Sequence, residues 1–335
     1  MSAVPPQFAW ARQSAGTAPL RLPGSVRRTT SIDSSWPEGL GEPWEMVGSA
    51  RDAFTPAEGG TLVTLAEGGY TIRTAPTREI LAIETRPRHP RDQELVGVRA
   101  GGASRRALND AMGDIRGTPQ FQVLDDFAGA SLVAGWVWSL WQDDWRQDRK
   151  AAAPAKPGRG GQMVDICTGF AAGASSLEAD GSFSQSTQSS TPVGPLVHPE
   201  DPAGWHPLPE GNGPTMRRAR RLDLWRDNGL IRIDAGFQDS GTTPTGARMA
   251  IHEYRVHAEV EPGTMRLVAL QALPLILPYR ECPGASIKAT RLIGQNVADL
   301  REAVVEVLPG TLGCTHLNDV LRGFADIPKL AEALP

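Results

Sequence analysis

The sequence predicts an α+β protein made of two related halves from an internal duplication, each an antiparallel β-meander followed by helices. Three observations predict it. Paired segments resemble one another in the same order along the chain, the later members read as period-two strands joined by turn residues, and the apolar period then lengthens to that of a helix.

The paired segments are "RRTTSID" (27–33) with "RRARRLD" (217–223), "PTREILAIETRP" (76–87) with "GTMRLVALQALP" (263–274), and "LVGVRAGGASRRALNDAMGDIRG" (95–117) with "LIGQNVADLREAVVEVLPGTLG" (292–313). Their offsets, about 190, 187 and 197 residues, drift only as loop insertions would make them drift. The organisation that follows is a first, degenerate repeat over 1–146, a Pro/Gly/Ser-rich linker over 147–212, and a second repeat over 213–335 that carries the site. The first repeat includes "GWVWSLWQDDWRQ", which sets Trp138, Trp141 and Trp145 on one helical stripe, a core or dimer face ahead of an aromatic platform. Within the linker, "MVDICTGFAAGASSLEADG" has an apolar start and a glycine-rich continuation, and is expected to be an ordered excursion over a site. It lacks the spacing of a phosphate-binding loop.

In the second repeat, "RRARRLDLW" and "LIRIDAGF" flank "RDNG", and an Asn-Gly pair between alternating segments signals a hairpin. "MAIHEYRVHAEV" and "TMRLVALQAL" follow as two more strands, joined through the Pro-Gly of "EPGT". Helical spacing then runs through "ATRLIGQNVADLREAVVEVL", and again through "CTHLNDVLRGFADIPKLAEAL" until Pro328 interrupts it.

Composition narrows the function. The 335 residues are 40% hydrophobic and 21% charged, with a formal net charge of -4 that offers no general attraction to nucleic acid or to anionic lipid. No apolar run reaches the ~20 residues of a spanning helix, and Cys167, Cys282 and Cys314 form neither a disulfide framework nor a CxxC knuckle. The expectation is a soluble cytoplasmic protein with no membrane or nucleic-acid partner, a homodimer being allowed.

The chemistry concentrates in two segments. As a strand, "IHEYRVHAEV" turns His252 and Tyr254 to the buried face and His257 to the other, a candidate general base with a phenol partner or else a hydrogen-bonded core pair. In "GCTHLND", Thr315 is expected to cap a helix and His316 to lie in its first turn, where the helix dipole favours neutral imidazole. The first repeat sets Thr118, Pro119 and Gln120 against Cys314, Thr315 and His316, so the fold does without those side chains there. His252, His257, Cys314 and His316 have no familiar ligand spacing, and neither a metal nor any other cofactor is expected.

Over residues 217–325 the chain resembles a bacterial family known as domain of unknown function 2889. The resemblance rests on "RDNGLIRIDAGFQD", "IHEYRVHAEVE", "CPG" and above all "GCTHLNDVL". It implies a lyase of lignin-derived aromatic dimers that releases formaldehyde from a hydroxymethyl side chain. The expected function is thus a cofactor-independent carbon–carbon lyase with His316, His252 and Tyr254 as catalytic residues. Arg221, Arg280, Trp225, Cys314 and Asp319 are expected to bind the small aromatic substrate. A metal- or thiol-dependent hydrolase and a non-catalytic small-molecule binding protein are the alternatives.

Overall fold

The computed structural model describes residues 12–58, 60–143, 163–179, 181, 184 and 187–335. Trp145 and the first part of the linker, residues 147–162, lie outside them. Eight of the nine strands form two meanders in a single antiparallel sheet. The first is β1 (Ser25–Ser35), β2 (Trp44–Thr55), β3 (Val63–Thr74) and β4 (Ile80–Arg86). After the three-residue β5 (Thr191–Val193), the second is β6 (Thr215–Asp227), β7 (Leu230–Thr242), β8 (Arg248–Glu261) and β9 (Arg266–Ile276). The meanders join where β1 pairs with β6, and β5 and β9 both pair along the outer edge of β8. The hairpin between β6 and β7 turns on Asn228 and Gly229 at φ 50 and 77, the left-handed backbone that selects an Asn-Gly pair.

A few ion pairs and turn bonds recur in the two meanders. Arg27 pairs with Asp223 and Arg217 with Asp33 across the β1–β6 seam, and Arg28 grips Asp52 on β2 as Arg218 grips Asp239 on β7. Arg78 and Met265 both take positive φ ahead of the fourth strand. Gly97 N donates to Ile80 O as Gly294 N donates to Leu267 O, each at 2.7 Å.

Helices cover one face. Over the first meander lie α1 (Gly102–Met112) and α2 (Pro119–Val133), and over the second α3 (Gly284–Lys288), α4 (Leu300–Val307), α5 (Thr315–Arg322) and α6 (Ile327–Ala331). The predicted helix over 289–308 is regular only from Leu300, because the chain turns at Gly294 (φ 93). Pro328 does not end the last helical run: it occupies the first turn of α6, where its missing N–H would have no partner.

Each half has its own apolar cluster, one around Tyr70, Met112 and Phe121 and the other around Phe237, Tyr254 and Leu317. Between them the sheet carries Arg28, Arg218 and Arg220. These meet Asp125, Asp126, Asp319 and Asp326 from the helices, together with Arg301 and Arg322. Burying that many guanidinium groups is tolerable because each faces at least one carboxylate, Arg28 and Arg218 in fork geometry on Asp52 and Asp239. Trp138 packs edge-on against Trp36 in a third cluster with Trp136, and Trp141 packs against that cluster, so these two members of the tryptophan stripe serve as core.

No helix among the described residues is long and apolar enough to cross a membrane.

Candidate functional site

The site grows from one row of side chains across three adjacent strands. Register sets Arg218 of β6 opposite Asp239 of β7, and Asp239 opposite His252 of β8. All three point toward the helices, as does Tyr254 two residues along. An irregularity beside Asp239 lets Ile251 go unpaired, the kind of bulge that re-aims side chains next to a site.

The fourth member comes from α5. Cys314 is the N-cap in extended conformation (φ -126, ψ 127), so Thr315 is the first helical residue and not the cap expected from sequence. His316 lies in the first turn and is laid flat on His252, with ring centroids 3.5 Å apart and planes 20° apart. Both rings turn a nitrogen to one carboxylate oxygen: His252 Nδ1 is 3.3 Å and His316 Nε2 3.8 Å from Asp239 Oδ2.

Asp239 is fully buried and held by Arg218 through Nε and Nη2, each at 2.9 Å. Although burial alone would raise its pKa, the guanidinium and the His252 contact hold it well below the usual carboxylate range, so it stays ionised. The imidazoles move the other way. Burial lowers both, and for His316 the neighbouring His252 adds to the effect, taking it well below the ordinary histidine value. Two neutral imidazoles on one carboxylate result, and a neutral imidazole can accept a proton.

The ring atoms then divide by role. His252 Nδ1 and His316 Nε2 are the nitrogens nearest the carboxylate, whose charge favours a proton on each and leaves the lone pairs on His252 Nε2 and His316 Nδ1. His316 Nδ1 has neighbours in Thr315 Oγ1 at 3.3 Å and Cys314 Sγ at 3.9 Å. Neither His252 Nδ1 nor His316 Nε2 meets hydrogen-bond geometry with Asp239 or any other described residue, so the trio is held by close approach and not by directed bonds.

The three cysteines converge beside this pair, all buried and free. A Cβ on Gly169 would stand 2.5 Å from Cys282 Sγ and 3.9 Å from Cys167 Sγ. Burial pushes the Cys167 thiol up to about 12 and raises those of Cys282 and Cys314. Tyr254 lies among these thiols, and burial raises it well above the usual phenol range, so it remains an O–H donor. The segment before this region reaches the chain just ahead of α5: Thr168 N donates to Gly313 O at 2.8 Å, and Thr168 Oγ1 donates to Thr311 O at 2.8 Å.

Not every predicted residue is here. Cys314 and Asp319 are, Asp319 by accepting from Arg218 Nη1 at 2.9 Å. Arg221 is on the opposite face of the sheet, tied to Asp223 and Asp234, because odd positions of β6 point away from the helices. Trp225 shares that opposite face near His257 and Arg232, and Arg280 is 67% exposed and paired with Glu281. Sequence reasoning missed Arg218 and Asp239, although the alternation of "RRARR" already separates Arg218 from Arg217 and Arg221.

The donor set also bears on metal binding. Asp239, His252 and His316 place their ligand atoms within 4.8 Å of one another. Yet Arg218 already takes both Asp239 oxygens, and a bound ion would have to compete with that guanidinium. The trio suits shared protons better than a cation.

The class defined by fold and site is an antiparallel-sheet α+β protein with a buried histidine pair on an arginine-held aspartate. Residues 216–329 match the family described as "Protein of unknown function (DUF2889)", a span that contains Arg218, Asp239, His252 and His316. No curated protein and no solved structure matches the chain.

Proposed function

We propose that the protein is a cofactor-independent lyase that cleaves the carbon–carbon bond to a hydroxymethyl group on a lignin-derived or related aromatic compound, releasing formaldehyde. The observation that carries the reading is the neutral His252–His316 pair stacked on the ionised Asp239. His252 Nε2 accepts the hydroxyl proton of the hydroxymethyl group while Asp239 steadies the imidazolium that forms. The C–O bond becomes the carbonyl of formaldehyde, and the electron pair of the broken C–C bond stays on the aromatic side chain, which takes up the proton held by the imidazolium. Tyr254, kept neutral by burial, is the donor for developing negative charge.

The reading extends to ancestry and location. The two halves are inferred to descend from one duplicated unit, supported by the matched ion pairs and turn bonds. By register, Ala66 and Gly68 take the positions of His252 and Tyr254, so the first half keeps the Arg28–Asp52 pair without the imidazoles. Three buried free thiols fit the reducing cytoplasm.

One contact favours a second reading. Cys314 Sγ, His316 Nδ1 and His316 Nε2 lead in sequence toward Asp239, the order of a thiol hydrolase. The raised thiol pKa weighs against it, since the thiolate is the nucleophile. Formaldehyde release from aryl propanediol compounds tests the choice. The lyase reading expects release by the native chain and its loss in His252→Gln; ester hydrolysis abolished by Cys314→Ser, with no aldehyde formed, would replace it.

A further inference from the structure

The ion pairs of the site continue beyond the matched family region. Asp239 is held by Arg218, and Arg218 Nη1 donates to Asp319 Oδ2 at 2.9 Å. The other oxygen of Asp319 accepts from Arg105 Nη2, and Arg105 belongs to α1 over the first meander. Three of these four residues are almost wholly buried, while the Arg105 side chain is 25% exposed. Arg105 is therefore the solvent-reaching end of a chain that closes on the histidine pair.

We propose that Arg105 is a positioning residue by which the first half fixes the geometry of the site in the second, through Asp319, Arg218 and Asp239 to His252. The proposal rests on the reading of His252 as the base. Asp319 is shared by two guanidinium groups, one oxygen each, and that division aligns the Arg218 fork with Asp239. Without Arg105, Asp319 keeps an uncompensated buried charge whose nearest remaining cation is Arg218. Arg218 is then drawn along the helix side, its fork on Asp239 loosens, and the 3.3 Å approach of the Asp239 carboxylate to His252 Nδ1, whose charge favours a proton there, loosens with it.

Other charges do not provide the same hold. Facing the imidazoles are Asp239 from β7, with Arg218 from β6 behind it, and Cys314 and Thr315 at the start of α5. Arg301 and Arg322, the nearby cations of the seam, engage Asp125, and Arg301 also engages Asp326; neither pairs with Asp319 among the described residues. A fragment limited to residues 216–329 would hold both histidines and lack this support.

The test uses the full-length chain labelled with 15N. Ring-nitrogen shifts of His252 and His316, assigned from His252→Gln and His316→Gln, report tautomer and hydrogen bonding directly. Arg105→Gln is expected to move the His252 ring shifts toward a tautomer mixture and to lower kcat about 10-fold with KM little changed. Arg105→Lys, which retains the charge, is expected to restore both. Arg116→Gln, which removes an exposed pair with Glu302 between the halves, is expected to leave the ring shifts at their native values. Folded Arg105→Gln protein with native ring shifts would overturn the proposal. Should that variant not fold, Asp319→Asn removes the middle link at nearly constant shape and carries the same expectation and the same refutation. Shifted rings in a protein that releases no formaldehyde would sink the lyase reading and leave the positioning role standing.

Discussion

Acid should destabilise the protein through His206 by an amount the structure allows one to work out. His206 is 4% exposed on the sheet face opposite the helices, with Nδ1 2.8 Å from Thr29 Oγ1 and Nε2 2.9 Å from Ser31 Oγ. One hydroxyl can donate and the other accept, which satisfies a neutral ring. Burial, aided by Arg51 and Arg217, pushes the imidazole down to about 3. In the unfolded chain its value is near 6.5. Above that pH neither state holds the proton and His206 adds no pH dependence. Below it the unfolded state is protonated while the native state is not, so stability falls as pH falls, by about 1.4 kcal/mol per unit. Between pH 8 and pH 5 the loss from this one ring is roughly 2 kcal/mol. His206→Gln removes it at the cost of the two hydroxyl contacts. The variant should be less stable than the native chain at pH 8 and should close that gap by about 2 kcal/mol at pH 5. His252 and His316 act in the same direction, but they are common to both proteins and cancel in the difference. Urea unfolding of both chains at pH 8, 7, 6 and 5 measures it. Parallel stability curves would refute the reasoning.

Three further outcomes are expected. Asp239→Asn leaves Arg218 buried beside an amide, and thermal melting should report a loss of about 3–5 kcal/mol, as for a broken buried pair. Gly169→Ala places a Cβ against Cys282 Sγ and should cost about 1–3 kcal/mol in denaturant unfolding, the usual penalty of overpacking. Cys314→Ser should retain most formaldehyde-releasing turnover while His252→Gln loses ~10²–10⁴ in rate; equal losses would favour a covalent thiol step.

Much of the local structure is legible in the sequence because its causes are local. Asn228-Gly229 supplies the positive φ of a tight hairpin, and alternation along β8 puts His252 and Tyr254 on one face and His257 on the other. "GCTHLND" does begin a helix with His316 in its first turn, though the helix starts one residue earlier than a threonine cap would set it. The helix over 289–308 was overextended because an apolar period does not reveal a glycine turning at φ 93.

The membership of the site is not legible in that way. Which residue of β6 meets which of β7 depends on a register shared by residues 218, 239 and 252, and "RRARR" offers several equivalent arginines until that register exists. Arg221 looked as able to bind a substrate as Arg218, and one step of the pleat sent it to the other side of the sheet. Arg105 is farther out of reach, since its role requires α1 to settle against α5 across the seam. The sequence by itself determined which face each side chain takes and where chain direction changes, because sterics and turn hydrogen bonds act over a few residues. Only the tertiary structure decided that His316 stacks on His252, that Asp239 is ionised and the imidazoles neutral, and that three distant thiols meet. Those depend on desolvation and on charges that burial brings together from remote parts of the chain.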